Sequence, residues 1–83
     1  MKREIKIVGV EPYNTTFNGN SFVGTKYHYV YKKDGVDGIA VSYFKIPFNR
    51  VHDFPRIALD DEWIAYIERS QNGERLDDLV PMK

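Results

Sequence analysis

Tyr27, Tyr29 and Tyr31 occupy alternate positions of the segment from Gly24 to Lys33, with Lys26, His28 and Lys32 between and beside them. Successive side chains of a strand point to opposite faces of a sheet, so this spacing puts three aromatic rings on one face and a mostly basic set on the other. A face of three tyrosines can pack as half of a small core, or it can lie exposed as a platform on which flat ligands such as nucleic-acid bases stack. Sequence leaves both open.

The remainder of the chain supplies four more strands. From Arg3 to Val10, Ile5 and Ile7 alternate with polar neighbours before Val8 and Val10, which predicts a strand ending near Pro12 with a bulge at Gly9. Asn, Thr, Ser and Gly dominate the stretch between Pro12 and Gly24, including Asn18-Gly19. This predicts a loop or irregular hairpin over residues 11–23, with Phe17 and Phe22 as its large apolar groups. Asp34-Gly35 and Asp37-Gly38 predict a turn at residues 33–38. The strand Ile39–Ile46 follows, with Ile39, Val41 and Tyr43 on one face and Ala40, Ser42, Phe44 and Ile46 on the other. Pro47 and Pro55 break the period of residues 47–61, which predicts irregular chain with room for one short helical turn. Trp63–Arg69 reads as a strand, Gln71-Asn72-Gly73 as the centre of a turn at residues 70–74, and Glu74–Met82 as the last strand.

The expected architecture is a single all-β domain over residues 1–83, a small five-stranded antiparallel barrel of OB type, because closure removes the exposed edges of an open sheet. Trp63, Ile5, Ile7, Val41, Phe44 and Ile67 are the expected core. A chain of 83 residues buries a modest fraction of its surface, so a partner subunit would help its stability and a homodimer is an open expectation.

Composition excludes several chemistries. With no cysteine there are no disulfides, thiolate metal sites or cysteine nucleophiles. No apolar run suits a signal peptide or a membrane span of roughly 20 residues, so the expectation is a soluble cytoplasmic protein without membrane contact. Asn14-Thr15-Thr16 matches a glycosylation sequon that has no meaning without secretion. His28 and His52, the only histidines, are 24 residues apart and do not make the convergent ligand set that zinc needs. Asp60-Asp61-Glu62 and Asp77-Asp78 point in alternating directions and do not make an acid–base pair, and Gly35 and Gly38 follow acids that would repel phosphate. Neither catalysis, nor a cofactor, nor a metal is expected.

Binding is better supported. The formal charge is zero, yet residues 1–50 carry +4 and residues 51–83 carry −4, the pattern of a polar molecule with one anion-attracting surface. Six Tyr and five Phe in the chain are more than a core of this size requires, and Lys26, Lys32, Lys33, Lys45 and Arg50 are distributed over the Tyr strand, the strand after it and their exits. Proteins that hold single-stranded nucleic acid pair rings, which stack on bases, with cations, which meet the phosphates. The expected interface is therefore Tyr27, Tyr29 and Tyr31 with Lys26, Lys32, Lys33, Lys45 and Arg50, and the expected partner is single-stranded DNA or RNA.

The entry Gly24-Thr-Lys-Tyr27 to a long second strand and the ending Leu76-Asp-Asp-Leu-Val-Pro-Met-Lys83, with the length and the five strands, resemble the small single-stranded-DNA-binding proteins of filamentous phages and related mobile elements. The resemblance implies an OB-type barrel, a dimer, and DNA contact through Tyr27 and the neighbouring Lys26. A different class fits the same composition: a protein-interaction or inhibitor module of a phage or mobile element. Such a module would dock through an edge strand or through an acidic surface of Asp60, Asp61, Glu62, Asp77 and Asp78. The position of the three tyrosines separates the two, since exposed rings beside lysine suit nucleic acid and buried rings suit the module.

Overall fold

The computed structural model describes residues 1–70 and 73–82. Its five antiparallel strands are β1 (Lys2–Phe17), β2 (Asn20–Tyr31), β3 (Ala40–Pro47), β4 (Glu62–Ser70) and β5 (Gly73–Pro81), lying in the order β3-β2-β1-β4-β5. The expected all-β class is what is found. The helical turn anticipated between Pro47 and Asp61 is a 3-10 segment, Phe48–Asp53.

β1 belongs to two ladders. Lys2–Lys6 pair with β4, whereas Lys6–Phe17 pair with β2. Between Ile7 and Gly9 the register slips by one residue, which makes Val8 the extra residue of a β-bulge beside the glycine that signalled it. One added residue inverts which face each later side chain occupies. Arg3, Ile5 and Ile7 point inward before the bulge, while Glu11 and Tyr13 point outward after it. The loop before β4 closes over this point, with the Ile7 amide donating to the Asp61 carbonyl at 2.9 Å and the Asp60 amide to the Ile7 carbonyl at 2.8 Å.

The core collects one face of every strand: Ile5 and Ile7, Tyr29, Phe44 and Ile46, then Trp63, Ala65 and Ile67, and finally Leu76 and Leu79, with Phe54 from the loop. A second register slip, opposite Tyr66 and Ile67, sets Asp77 aside and turns both Leu76 and Leu79 inward. Trp63 contributes by burying its ring; its indole N–H meets no acceptor among the described residues.

Three expectations need correction. Val41 is 68% exposed, because the inward face of β3 is the one that carries Phe44 and Ile46. Residues 11–23 are not irregular. Asn18 (φ 51°) and Gly19 (φ 79°) form a two-residue turn of the kind that matches strand twist, and the ladder runs unbroken from Gly9↔His28 to Phe17↔Asn20. Pro12 does not end the strand because β1 has no neighbour on its β4 side beyond Lys6, and sheets tolerate proline on such edges. The turn at residues 33–38 is present, with Gly35 and Gly38 at positive φ and the Val36 amide bonded to the Lys33 carbonyl. The expected turn at 70–74 falls partly outside the described residues.

The sheet curls until its edge strands β3 and β5 face each other, and side chains bridge the seam. Arg3 Nη1 donates to Tyr29 Oη at 2.8 Å and to Glu74 Oε1 at 3.0 Å. Ser42 Oγ donates to the same carboxylate oxygen at 3.3 Å. The Arg3 guanidinium also lies 4.4 Å from the centroid of the Tyr31 ring. Burial alone would raise the Glu74 carboxyl pKa, but the hydrogen bond and charge of Arg3 and the bond from Ser42 outweigh it, and the net shift is downward. Burial dominates at Tyr29 and pushes its hydroxyl pKa up, so it stays protonated and able to donate to Glu74. Each strand except β4 contributes to this clasp.

Two consequences are measurable by denaturant unfolding. Trp63→Ala should cost about 3–5 kcal/mol, enough to unfold much of so small a domain, whereas Val41→Ser should stay within about 0.5 kcal/mol of the parent. The clasp should also make stability acid-sensitive. A carboxyl whose folded pKa lies below its unfolded value contributes fully above roughly pH 4.3 and loses that contribution as pH falls through the folded value. Glu74→Gln should therefore be less stable than the parent near neutrality and show a flatter stability profile below about pH 5; parallel profiles would remove Glu74 from that role.

Candidate functional site

The tyrosine face of β2 is a wall of the core. Tyr29 is fully buried, and Tyr27 and Tyr31 are half-buried against it, with ring centroids 5.6 Å apart for Tyr27–Phe44, 5.7 Å for Tyr29–Phe44 and 5.6 Å for Tyr29–Tyr31. The cause is parity, since Tyr29 pairs with Ile7 in β1 and this side of both strands is the apolar one. Tyr29 has no free ring face to offer a base, which corrects the expected platform; on the criterion of tyrosine exposure this face suits the protein-interaction module, and a nucleic-acid site would have to use the opposite face of β2. Arg50 is also committed elsewhere: it donates to the Leu76 carbonyl at 3.2 Å, covers the Phe54 ring at 5.1 Å and approaches Asp53.

The basic side of β2 is consequently the outer face, and the ladders arrange it in rows across three strands. Phe17 pairs with Asn20 and Thr15 with Phe22 on the two-stranded arm, followed by Tyr13–Gly24–Pro47, Glu11–Lys26–Lys45 and Gly9–His28–Tyr43. All share one side of the sheet by register. Phe17 and Phe22 are exposed, as is Tyr43, so aromatic rings run along this side from the arm tip to the body of the sheet. The bulge at Val8 puts Tyr13 and Glu11 there, and the tight Asn18-Gly19 turn aligns the phenylalanines with them.

Two glycines let rings lie flat on the sheet. A Cβ on Gly24 would come within 2.7 Å of Tyr13 Cζ and would strike the Ile46 carbonyl oxygen, so the tyrosine lies across its cross-strand glycine. Gly9 does the same for His28 with more room, 3.2 Å from a built Cβ to the imidazole. The lysines lean on the rings: Lys45 Nζ is 5.5 Å from the Tyr13 centroid and Lys26 Nζ 4.7 Å from that of Tyr43. His28 sits 6.0 Å from Tyr43 and shares a hydrogen bond of 3.1 Å with Glu11. That hydrogen bond, with the charge of Lys26, holds the Glu11 carboxyl below the usual range.

Lys26 and Lys45 face each other directly across the β2–β3 ladder. Like charges at paired positions oppose folding, and the neighbouring carboxylate and rings only partly relieve them. Lys32 and Lys33 stand apart from this row, exposed at the end of β2. Among the described residues no three His, Asp or Glu side chains are grouped as a metal would require, and no helix is long and apolar enough to cross a membrane.

Sequence reading missed Tyr13, Tyr43, Phe17, Phe22 and His28. A signal was present, since a two-residue Asn-Gly turn fixes the pairs Phe17/Asn20, Thr15/Phe22 and Tyr13/Gly24 by counting alone. The glycine under Tyr13 provides a check on the site's construction. Gly24→Ala should lower stability by about 1–3 kcal/mol because the obstructing carbonyl is backbone, while Gly9→Ala, whose Cβ meets only the His28 side chain and no closer than 3.2 Å, should cost clearly less. Thermal unfolding of the two variants measures the difference, and equal costs would mean that the Ile46 carbonyl does not crowd Gly24. Comparison of the chain with protein-family models, with curated proteins and with solved structures finds no match.

Proposed function

We propose that the outer face of β1, β2 and β3 binds single-stranded nucleic acid, DNA or RNA, with little sequence preference. The observation that carries this reading is the Lys26–Lys45 pair set among exposed rings. The two lysines stand at directly paired positions and rest their ammonium groups on different rings, Lys26 on Tyr43 and Lys45 on Tyr13, so cations and stacking surfaces alternate along the face as the phosphates and bases of a single strand do. Tyr13, His28 and Tyr43 are near enough to these cations for bases to stack while the backbone is held. Phe17 and Phe22 extend the stacking surface along the arm. Every base has a π-face, so stacking of this kind is tolerant of sequence.

The topology agrees with the proposal. In partly open five-stranded barrels the face of the second and third strands and the loop joining the first two are the surfaces used for oligonucleotides. Here that face carries Lys26, His28, Tyr43 and Lys45, and the joining hairpin carries the phenylalanines. Tyr27 contributes through the core behind this face, and Lys32 follows the end of β2.

A labelled oligonucleotide titrated at two salt concentrations tests the reading. Binding at low micromolar protein and low salt is expected, with a log–log salt slope near −0.7 per phosphate contact. Lys26→Ala and Lys45→Ala should each flatten the slope by about one such contact. Tyr43→Ala and Phe22→Ala should weaken binding by about 1–3 kcal/mol with the slope unchanged. Val41→Ser, outside the aromatic rows, should bind as the parent does. Absence of binding at low salt would sink the proposal and leave a protein partner as the better reading.

A further inference from the structure

One stretch of β1 has main-chain groups without a ladder partner. The Met1 amine donates to the Ile67 carbonyl at 2.9 Å, the Ile67 amide returns the bond to Met1 at 2.7 Å, and the Ile7 amide donates to Asp61 at 2.9 Å. Odd-numbered residues here therefore face β4, and the alternation of an antiparallel pair turns the N–H and C=O of Lys2 and Glu4 the other way, toward β2. Yet β2 joins β1 only from the pair Lys6↔Val30 onward; Tyr31 has already moved off with Ala40 of β3. Between the diverging strands lies an open cleft of about 1010 Å³, comparable with the largest ligand clefts, which run from roughly 300 to 1,000 Å³.

We propose that this cleft is a docking site for an extended protein segment in which acidic and apolar residues alternate, added as a short strand to β1 at Lys2 and Glu4. An unpaired strand edge is a template for main-chain pairing, and a peptide carries the alternating donors and acceptors that match it. Side-chain parity sets the pattern. Residues of an added strand that point outward meet Lys2, Lys6 and Lys32 against Glu4 and Glu62, the latter paired with Lys6 across the β1–β4 ladder, while Lys33 and Asp34, which also line the cleft, offset each other. Those that point inward meet the half-buried ring of Tyr31, behind which Ile5 is buried, and Arg3 on that side is neutralised by Glu74 at 3.0 Å. A nucleic acid would satisfy the lysines but not the main-chain edge or the apolar wall. This site is separate from the aromatic rows, and its test does not depend on them.

The probe is a fluorescein-labelled octapeptide alternating Glu with Val, followed by anisotropy. It should bind the parent protein, while an isomer with its four Glu in a block and a peptide alternating Lys with Val should not. Glu4→Pro removes an N–H that faces the cleft and leaves the β1–β4 ladder intact, so it should keep the parent's circular dichroism and weaken the peptide by about tenfold. A Lys2→Glu, Lys32→Glu double variant, which leaves every main-chain group in place, should reverse the preference toward the Lys–Val peptide. Tyr43→Ala should leave peptide binding unchanged.

The proposal is overturned by no binding at millimolar peptide, by equal binding of the block isomer, or by undiminished binding to a folded Glu4→Pro protein. It is equally overturned if an oligonucleotide displaces the peptide and itself loses affinity in Glu4→Pro, which would assign the cleft to nucleic acid. Self-association that disappears in Glu4→Pro would assign it to a second copy of the chain.

Discussion

Strand β1 is shared between two ladders, and the single extra residue at Val8 is the constraint on which the rest of the arrangement depends. Bulges sharpen twist and bend a strand locally. This one lets one half of β1 hold β4 while the other half leaves with β2, so that the sheet curls and its edges meet across the Arg3–Glu74 clasp. It also inverts parity along β1. Without it, Glu11 and Tyr13 would fall on the side of Ile7, the outer face would lose its first column, and Tyr13 would not reach Gly24.

Several features of that face work against the stability of a chain with little to spare. Paired lysines repel, two glycines in strand interiors forgo side-chain packing, and exposed phenylalanines on an arm bury little. Such local conflicts concentrate where a protein binds something. The inner side shows none of them: its polar groups form a closed network in which the Arg3 guanidinium, the Tyr29 hydroxyl and the Ser42 hydroxyl all meet Glu74. The contrast between an interior whose polar side chains meet partners, the Trp63 indole N–H excepted, and an exterior that sets like charges opposite one another supports the proposed binding face.

The cleft beside Lys2 and Glu4 has the same origin. When β1 serves two partners that diverge, the main chain near the divergence is left without a neighbour on one side. Most sheets cover or charge such an edge. Here the covering is partial, by lysine side chains, and the opening faces an apolar floor. One strand thus gives rise both to the aromatic rows and to the unpaired edge, on either side of its bulge.

Much of the fold was legible in the chain because period-two patterning, Asn-Gly and Asp-Gly turns and the bulge glycine are local properties, fixed by sterics within a few residues. The alternation of Tyr27, Tyr29 and Tyr31 established a strand and put the rings on one face, and Trp63, Ala65 and Ile67 did so for β4. What alternation does not determine is which of two faces is turned inward. That choice depends on the neighbour: Tyr29 is buried because Ile7 and Phe44 flank it, and Val41 is exposed because its own strand turns Phe44 the other way. The same choice put lysines and His28 outside and moved the candidate site from one side of β2 to the other. Sequence by itself determined the number of strands, the turn at residues 33–38 and the pairing of charge with aromatic residues, but not the regular ladder over residues 11–23, where cross-strand pairing overrides the polar composition. Tertiary structure decided the faces, because burial is a property of packed pairs of strands and not of any one of them.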